Sequence, residues 1–169
     1  MANRKLNMPA DQRKALLRNQ VTNLIWHGRI ETTLARAKEV SRVAERLITL
    51  AARECDNTVA VKKDTNNEKG QIVVLELTND APGRLAARRR MMRYLYEIPL
   101  EREKDETRKE YNARARVNKH PVVEKLMREI GPKYKARAAE KGVGGGYTRI
   151  IKIGQRKGDA AMEVLLELL

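Results

Sequence analysis

Ser41 is the only serine in this chain of 169 residues, His27 and His120 are its only histidines, and Cys55 is its only cysteine. A nucleophile–base–acid relay would have to rest on Ser41, which lies in the middle of a basic segment. One cysteine with two scattered histidines gives no zinc spacing, and a lone cysteine can form no internal disulfide. The glycine-rich run 142–146, GVGGG, lacks the Lys-Ser/Thr that follows in a phosphate-binding P-loop. His27 reads as a helix-end residue rather than a base. These patterns argue against an enzyme and suggest no cofactor and no metal.

The residue types that dominate are Lys and Arg. There are 36 of them against 22 Asp and Glu, a formal net charge of +14 and a pI near 10.2. Their chemistry is electrostatic. Such a chain repels itself and gains from a polyanion whose counterions are released when its phosphates are neutralised. The excess is also uneven. Residues 1–30 hold six basic groups and one acid, 84–93 five and none, and 133–158 eight and one, whereas 54–80 hold three against six. Concentration at both ends and in one central segment is the footprint expected of a nucleic-acid binder.

The cations that stand out are Arg4 and Lys5 on a polar N-terminal arm, expected to be disordered when free, and Arg13, Lys14 and Arg18 just after it. Arg36 and Lys38 open a helix, where the helix dipole disfavours cations, so they point to an external anion. Arg88, Arg89, Arg90 and Arg93 wrap right round their helix, and only two or three can face one surface. Of these, Arg88, Arg89 and Arg93 are taken as candidates, with Lys133 and Lys135 further on. Near the C-terminus, Gly145 and Gly146 would let backbone approach a phosphate. There Arg149, Arg156 and Lys157 add charge. Tyr147 is balanced between stacking on a base and packing in the core, whereas Trp26 reads as core.

Elements must hold these groups. The arm covers 1–9 and breaks at Pro9. Residues 10–27 read as a helix through Leu17, Val21, Leu24 and Ile25, with Gly28 as its C-terminal cap. RIETT, 29–33, reads as a strand, and Thr33 can cap a second helix over about 34–54. Residues 55–70 read as loop and 71–78 as a strand. A turn over 79–83 leads to Pro82 at the start of a helix reaching about 96. Residues 101–118 are either a solvated helix or disordered. A helix over 121–130 is closed by Gly131-Pro132, and a short basic helix follows. Residues 147–153 form a strand, 154–158 a basic turn, and 160–168 the strand or helix that completes a hairpin. The fold expected is α+β, several helices on a small mixed β-sheet, in one domain over 10–169. No stretch approaches the roughly 18 apolar residues of a membrane span. The absence of an export signal and the single cysteine fit a reducing cytoplasm.

RKALLRNQVTNLIWHGRIETTLARAKEVSRVAERLITLAA, with VVEKLMREIGPKYKARA and GGYTRIIKIGQRKGDAAMEVLLEL, resembles the bacterial large-subunit ribosomal protein L17 family. The opening RKLN at 4–7 also fits. The likeness covers 10–55, 84–98 and 119–169, while about 56–83 and 99–118 are extra and inherit no role. It implies an rRNA-binding structural constituent of the cytoplasmic ribosome. The partners implied are the large-subunit (23S) rRNA and neighbouring large-subunit proteins, with no membrane, small-molecule substrate or homo-oligomer. Composition alone also allows a general nucleic-acid architectural protein or a module for an acidic partner.

Overall fold

A computed structural model describes residues 4–66 and 72–169; Met1–Asn3 of the arm and the stretch 67–71, which includes the start of the expected central strand, lie outside the described residues. Helix α1, Ala10–His27, buries Leu17, Val21, Leu24 and Ile25. It ends at Gly28, whose φ of 80° needs the freedom of glycine and whose N–H bonds to Leu24 O. Strand β1, Arg29–Thr33, leads into α2, Leu34–Glu54, which buries Ala37, Val40, Ala44, Leu47, Ile48 and Ala51 along one stripe. Thr33 occupies the position before α2, but its side chain makes no capping hydrogen bond, contrary to expectation.

The C-terminal hairpin is present. Strands β4, Thr148–Gln155, and β5, Met162–Leu168, pair antiparallel with a bulge between Lys152 and Gly154, so β4 runs two residues beyond its expected end. Strand β5 inserts between β4 and β1, antiparallel to both, with Leu166 opposite Ile30 on one side and Ile150 on the other. The three-stranded sheet is thus antiparallel throughout rather than mixed. Alternation puts Val164 and Leu166 of β5, both fully buried, against the helices.

Two segments depart from the pattern-based reading. The expected loop 55–70 contains strand β2, Thr58–Asn66, paired antiparallel with β3, Ile72–Asp80, with Val61 opposite Leu77. The ribbon has exposed apolar side chains, Val59, Val74 and Leu77. Among the described side chains of β2, Thr58 to Lys63, none is deeply buried, so its polarity mimics a loop. Second, Gly131-Pro132 does not end a helix. Helix α5, Pro121–Lys125, continues as a π-helical turn, Leu126–Ile130, into α6, Gly131–Lys141. Gly131 has right-handed φ and ψ of −57°. A Cβ there would meet Ala51 O at 3.1 Å, so this glycine serves the close approach of α2. Pro132 lies inside this continuous helix with no N–H to donate to the preceding turn, and the π-helical turn falls immediately before it. Of the two alternatives for the charged stretch 101–118, the helix is the one present: α4, Arg108–Val117, is started by a capping box between Thr107 and Glu110. Helix α3 spans Pro82–Tyr94 with Pro82 at its start, as expected.

Between α1, α2, α3, α5 and the inner sheet face lies one aliphatic core, completed by Met91, Val122, Leu126, Met127 and the Tyr134–Tyr147 pair. The described part of the arm also docks on it: Leu6 packs against the core, and Arg13 Nε donates to Arg4 O at 2.6 Å.

Candidate nucleic-acid interface

Helices α1, α2 and α3 bring their basic faces to one groove of about 800 Å³. Lys14 and Arg18 come from α1, Arg46 and Arg53 from α2, and Arg90 and Arg93 from α3. The floor is Val43, Leu47, Leu50 and Tyr94, with Thr49 at the rim, and no carboxylate lines the groove among the described residues. Spacings of four, seven and three residues place each pair of cations on one side of its helix. Low-dielectric walls carrying one sign of charge concentrate the field in the groove.

Arg18 is positioned firmly. Its Nε donates to Tyr94 O at 2.6 Å and its Nη2 to Arg93 O at 3.1 Å, while the guanidinium lies 4.4 Å from the Tyr96 ring centroid. These partners are neutral, so its charge remains available to an anion. Lys14, Arg46, Arg90 and Arg93 are exposed and make no ion pair among the described residues. Arg53 makes an ion pair with its neighbour Glu54, at 3.5 Å. Burial raises the Tyr94 phenol above its ordinary value, and the charges of Arg18 and Arg13 pull against that.

Helix α3 turns Arg84 and Arg88 inward. Arg84 Nε lies 3.2 Å from Asp80 Oδ1 and Arg88 Nε 2.7 Å from Asp80 Oδ2. Neither N–H points along its contact, so these are ion pairs rather than hydrogen bonds. Arg88 also grips Glu124 of α5 through both terminal nitrogens. Burial works against the Glu124 carboxylate, but the Arg88 hydrogen bond and the charges of Arg88, Arg128 and Arg84 prevail and hold it below its ordinary value. Arg88 is therefore engaged in joining α3 to α5, which corrects its reading as an RNA contact.

Other candidates scatter. Arg4, Lys5, Lys38, Arg89, Lys133 and Lys157 are exposed. Arg13 Nη2 pairs with Glu39 at 2.8 Å. Arg36 and Arg156 share a smaller recess with Glu31 and Glu163. Lys135 pairs with Asp56 at 2.6 Å, Arg149 with Glu167 at 3.6 Å, and Arg156 with Asp159 at 2.6 Å. Gly145 and Gly146 have φ of 99° and 59°, and their carbonyls accept from Arg137 at 3.5 and 2.9 Å. Their conformational freedom serves a loop folded over Arg137. Tyr147 is 5 % exposed and packs on Tyr134, ring centroids 4.8 Å apart, so its ring has no face for a base. Trp26 lies at the core edge, half-buried under Lys125.

Of the groove's six cations, Lys14, Arg18 and Arg93 are sequence candidates, and Arg46, Arg53 and Arg90 are not. The missed signal is Leu50, an aliphatic residue off the buried α2 stripe with Arg46 and Arg53 one turn to either side.

The family model described as Ribosomal protein L17 matches residues 16–169. Among similar proteins, large ribosomal subunit protein bL17 of Lachnospira eligens is 46% identical over 98% of this chain and 97% of its own length. The protein of the same name from Acetivibrio thermocellus is 39% identical over 99% and 98%. That of Clostridium botulinum strain Hall is 38% identical over 98% and 96%. Because the family model spans residues 16–169 and relatives 38–46% identical cover nearly the whole chain, the chain belongs to the ribosomal protein L17 family.

Proposed function

We propose that this chain is a structural constituent of the large ribosomal subunit, not an enzyme, and that it holds folded 23S rRNA through Lys and Arg contacts to phosphates. Family membership supports the structural role. The observation that carries the RNA contact is the α1–α2–α3 groove, six cations with no acid. Phosphates positioned there would supply affinity and fix orientation, while the shape of the folded RNA would supply selectivity. Arg4, Lys5, Lys38, Arg89, Lys133 and Lys157 extend the contact beyond the groove. Arg36, Lys135, Arg149 and Arg156 are secondary contacts, since each lies beside an acid of this chain. One copy sits in each ribosome of the cytoplasm, beside other large-subunit proteins.

Sedimentation of cell lysate at moderate and high salt tests this. The chain is expected in the large-subunit peak at near-unit stoichiometry, surviving the salt wash. A chain that stays at the top of the gradient, or spreads over all nucleic acid and strips off steeply with salt, overturns the proposal in favour of a general nucleic-acid binder.

A further inference from the structure

We infer that the α1–α2–α3 groove is a receptor for an unpaired RNA nucleotide, whose base lies on the aliphatic and tyrosine floor while flanking phosphates meet the cationic rim. This rests on the reading of the groove as an rRNA contact and names the part of the RNA that fills it. Phosphate binding explains the rim but not the floor. Val43, Leu47, Leu50 and Tyr94 line a cavity of about 800 Å³. Paired RNA presents phosphates and a shallow groove of 2′-hydroxyls, and neither covers an aliphatic floor. A phosphate seated there would lose its water without gaining a donor from the floor. An extruded base has the opposite character, an apolar π-face with polar edges. Its face can lie on Tyr94 and the aliphatic side chains, or under a guanidinium plane, and its edges can meet the arginines around it. Arg18 is already clamped by the Tyr94 and Arg93 carbonyls with its charge unspent, so part of the receptor is organised in advance. The rim without a carboxylate selects a polyanion over an apolar protein segment as the occupant.

The test uses the full chain in assembled subunits. Ala86, exposed on α3 one turn before Arg90 and outside the groove lining, is replaced by the photo-crosslinking amino acid p-benzoyl-phenylalanine. Purified large subunits are irradiated, and the crosslinked partner is mapped. The expected partner is the base of an unpaired nucleotide. Two further variants are measured against the RNA segment so identified, in isolation. Leu50→Lys keeps all six cations and adds a seventh. Thr49→Trp fills the groove from its exposed rim and leaves the floor intact, which guards against misfolding of the first. Each is expected to weaken binding about tenfold or more. A crosslink to the backbone of a paired helix or to a protein overturns the inference and leaves the chain a subunit constituent. So does unchanged or tighter binding by Leu50→Lys and Thr49→Trp, which is the behaviour of a purely phosphate-binding surface. Failure of the ribosomal reading itself shows earlier, as absence of the chain from the subunit peak before irradiation, and overturns both.

Discussion

Arg13 Nη2 lies 2.8 Å from Oε2 of Glu39, a carboxylate only 4 % exposed. The pair ties the start of α1 to α2, and Arg42 adds a weaker contact at 3.7 Å. A cation that looks like part of an RNA-binding cluster in sequence is therefore occupied by the fold. Its neighbour Lys14 faces the groove. Removing one partner of a buried pair strands the other charge, which costs about 3–5 kcal/mol when fully buried. Arg42 and the partial exposure of Arg13 reduce that here, to about 2 kcal/mol. Arg13→Ala is expected to lower the unfolding free energy by that amount in urea titrations. Lys14→Ala is expected to change stability by under about 0.5 kcal/mol and to weaken RNA binding instead. The reverse pattern would mean that the two lysine and arginine roles are exchanged.

The groove makes a prediction about salt. Each phosphate contact removed lowers the slope of log affinity against log salt by about 0.7–0.9. Arg46→Gln with Arg90→Gln is therefore expected to flatten the slope by about 1.5. The unfolding transition should hardly move, because both side chains are exposed and unpaired among the described residues. Arg84→Gln and Arg88→Gln should do the opposite, lowering stability with little change in slope, since both guanidinium groups face Asp80. Equal salt slopes for the two pairs of variants would remove the distinction between them.

That distinction marks the limit of what the sequence makes legible. The α1 and α2 stripes, the Gly28 cap and the C-terminal hairpin are readable because each follows from local spacing or from one special backbone angle. Which of several arginines meets an acid is a long-range property. Arg88 and Glu124 are 36 residues apart, and Arg13 and Glu39 are 26 apart. Helix α3 alone offers no reason to separate Arg88 from Arg89. Gly131 fails as a punctuation mark for a similar reason, since the carbonyl it accommodates belongs to Ala51 of another helix. Strand β2 escapes detection because it is held by the backbone ladder to β3 and its described side chains from Thr58 to Lys63 are largely exposed, so its sequence reads as polar. Leu50 was the one local hint of the groove, an aliphatic residue where the α2 periodicity calls for a polar one.

Tyr147 separates a packing role from a stacking role. It is 5 % exposed against Tyr134, whose hydroxyl donates to Tyr147 O at 3.3 Å. Tyr147→Ala is expected to cost about 3–5 kcal/mol, the range for large aromatic truncations in a core. Tyr147→Phe keeps the ring and is expected to cost less than about 1 kcal/mol. RNA affinity measured on folded protein should be the same for Tyr147→Phe and the parent. A folded, stable Tyr147→Ala that binds RNA poorly would return this residue to the interface.

The β4–β5 turn carries a pH signature. Asp159 accepts from Arg156 at 2.6 and 2.9 Å and from the Ala161 N–H at 3.2 Å. The Arg156 hydrogen bonds first, then that N–H, lower the carboxyl from 3.8 to about 2. A depressed carboxyl contributes stability that is complete above its unfolded value and is lost as pH falls through its folded one. The turn should therefore hold above pH 4 and loosen between about pH 4 and 2. Carbon-detected NMR titration of Asp159 checks this. Arg156→Gln should move the midpoint most of the way back, with a remainder left by Ala161. A midpoint already near 3.8 in the parent would show that Arg156 is held elsewhere, such as by phosphate.

The β2–β3 ribbon should be dispensable for both stability and RNA affinity. Its base is closed by a hydrogen bond from Ala81 N–H to Asn57 O at 3.1 Å, so the two chain ends are already adjacent. Among its described apolar side chains, Val59, Val74 and Leu77 are 47%, 54% and 43% exposed, so these lose little burial when it is removed. Asp80 must stay, because it faces Arg84 and Arg88. Residues 59–78 hold three lysines and three acids, so removing them leaves the net charge at +14. Replacing them with a two-residue Gly-Ser turn shortens a closed loop, which costs little entropy or gains some. The unfolding free energy is expected to stay within about 1 kcal/mol and the RNA salt slope to stay unchanged. Subunit incorporation in competition with the parent chain is the third readout. Normal RNA binding with poor incorporation would assign the ribbon to a protein neighbour, whereas lost RNA binding would contradict the assignment of affinity to the groove.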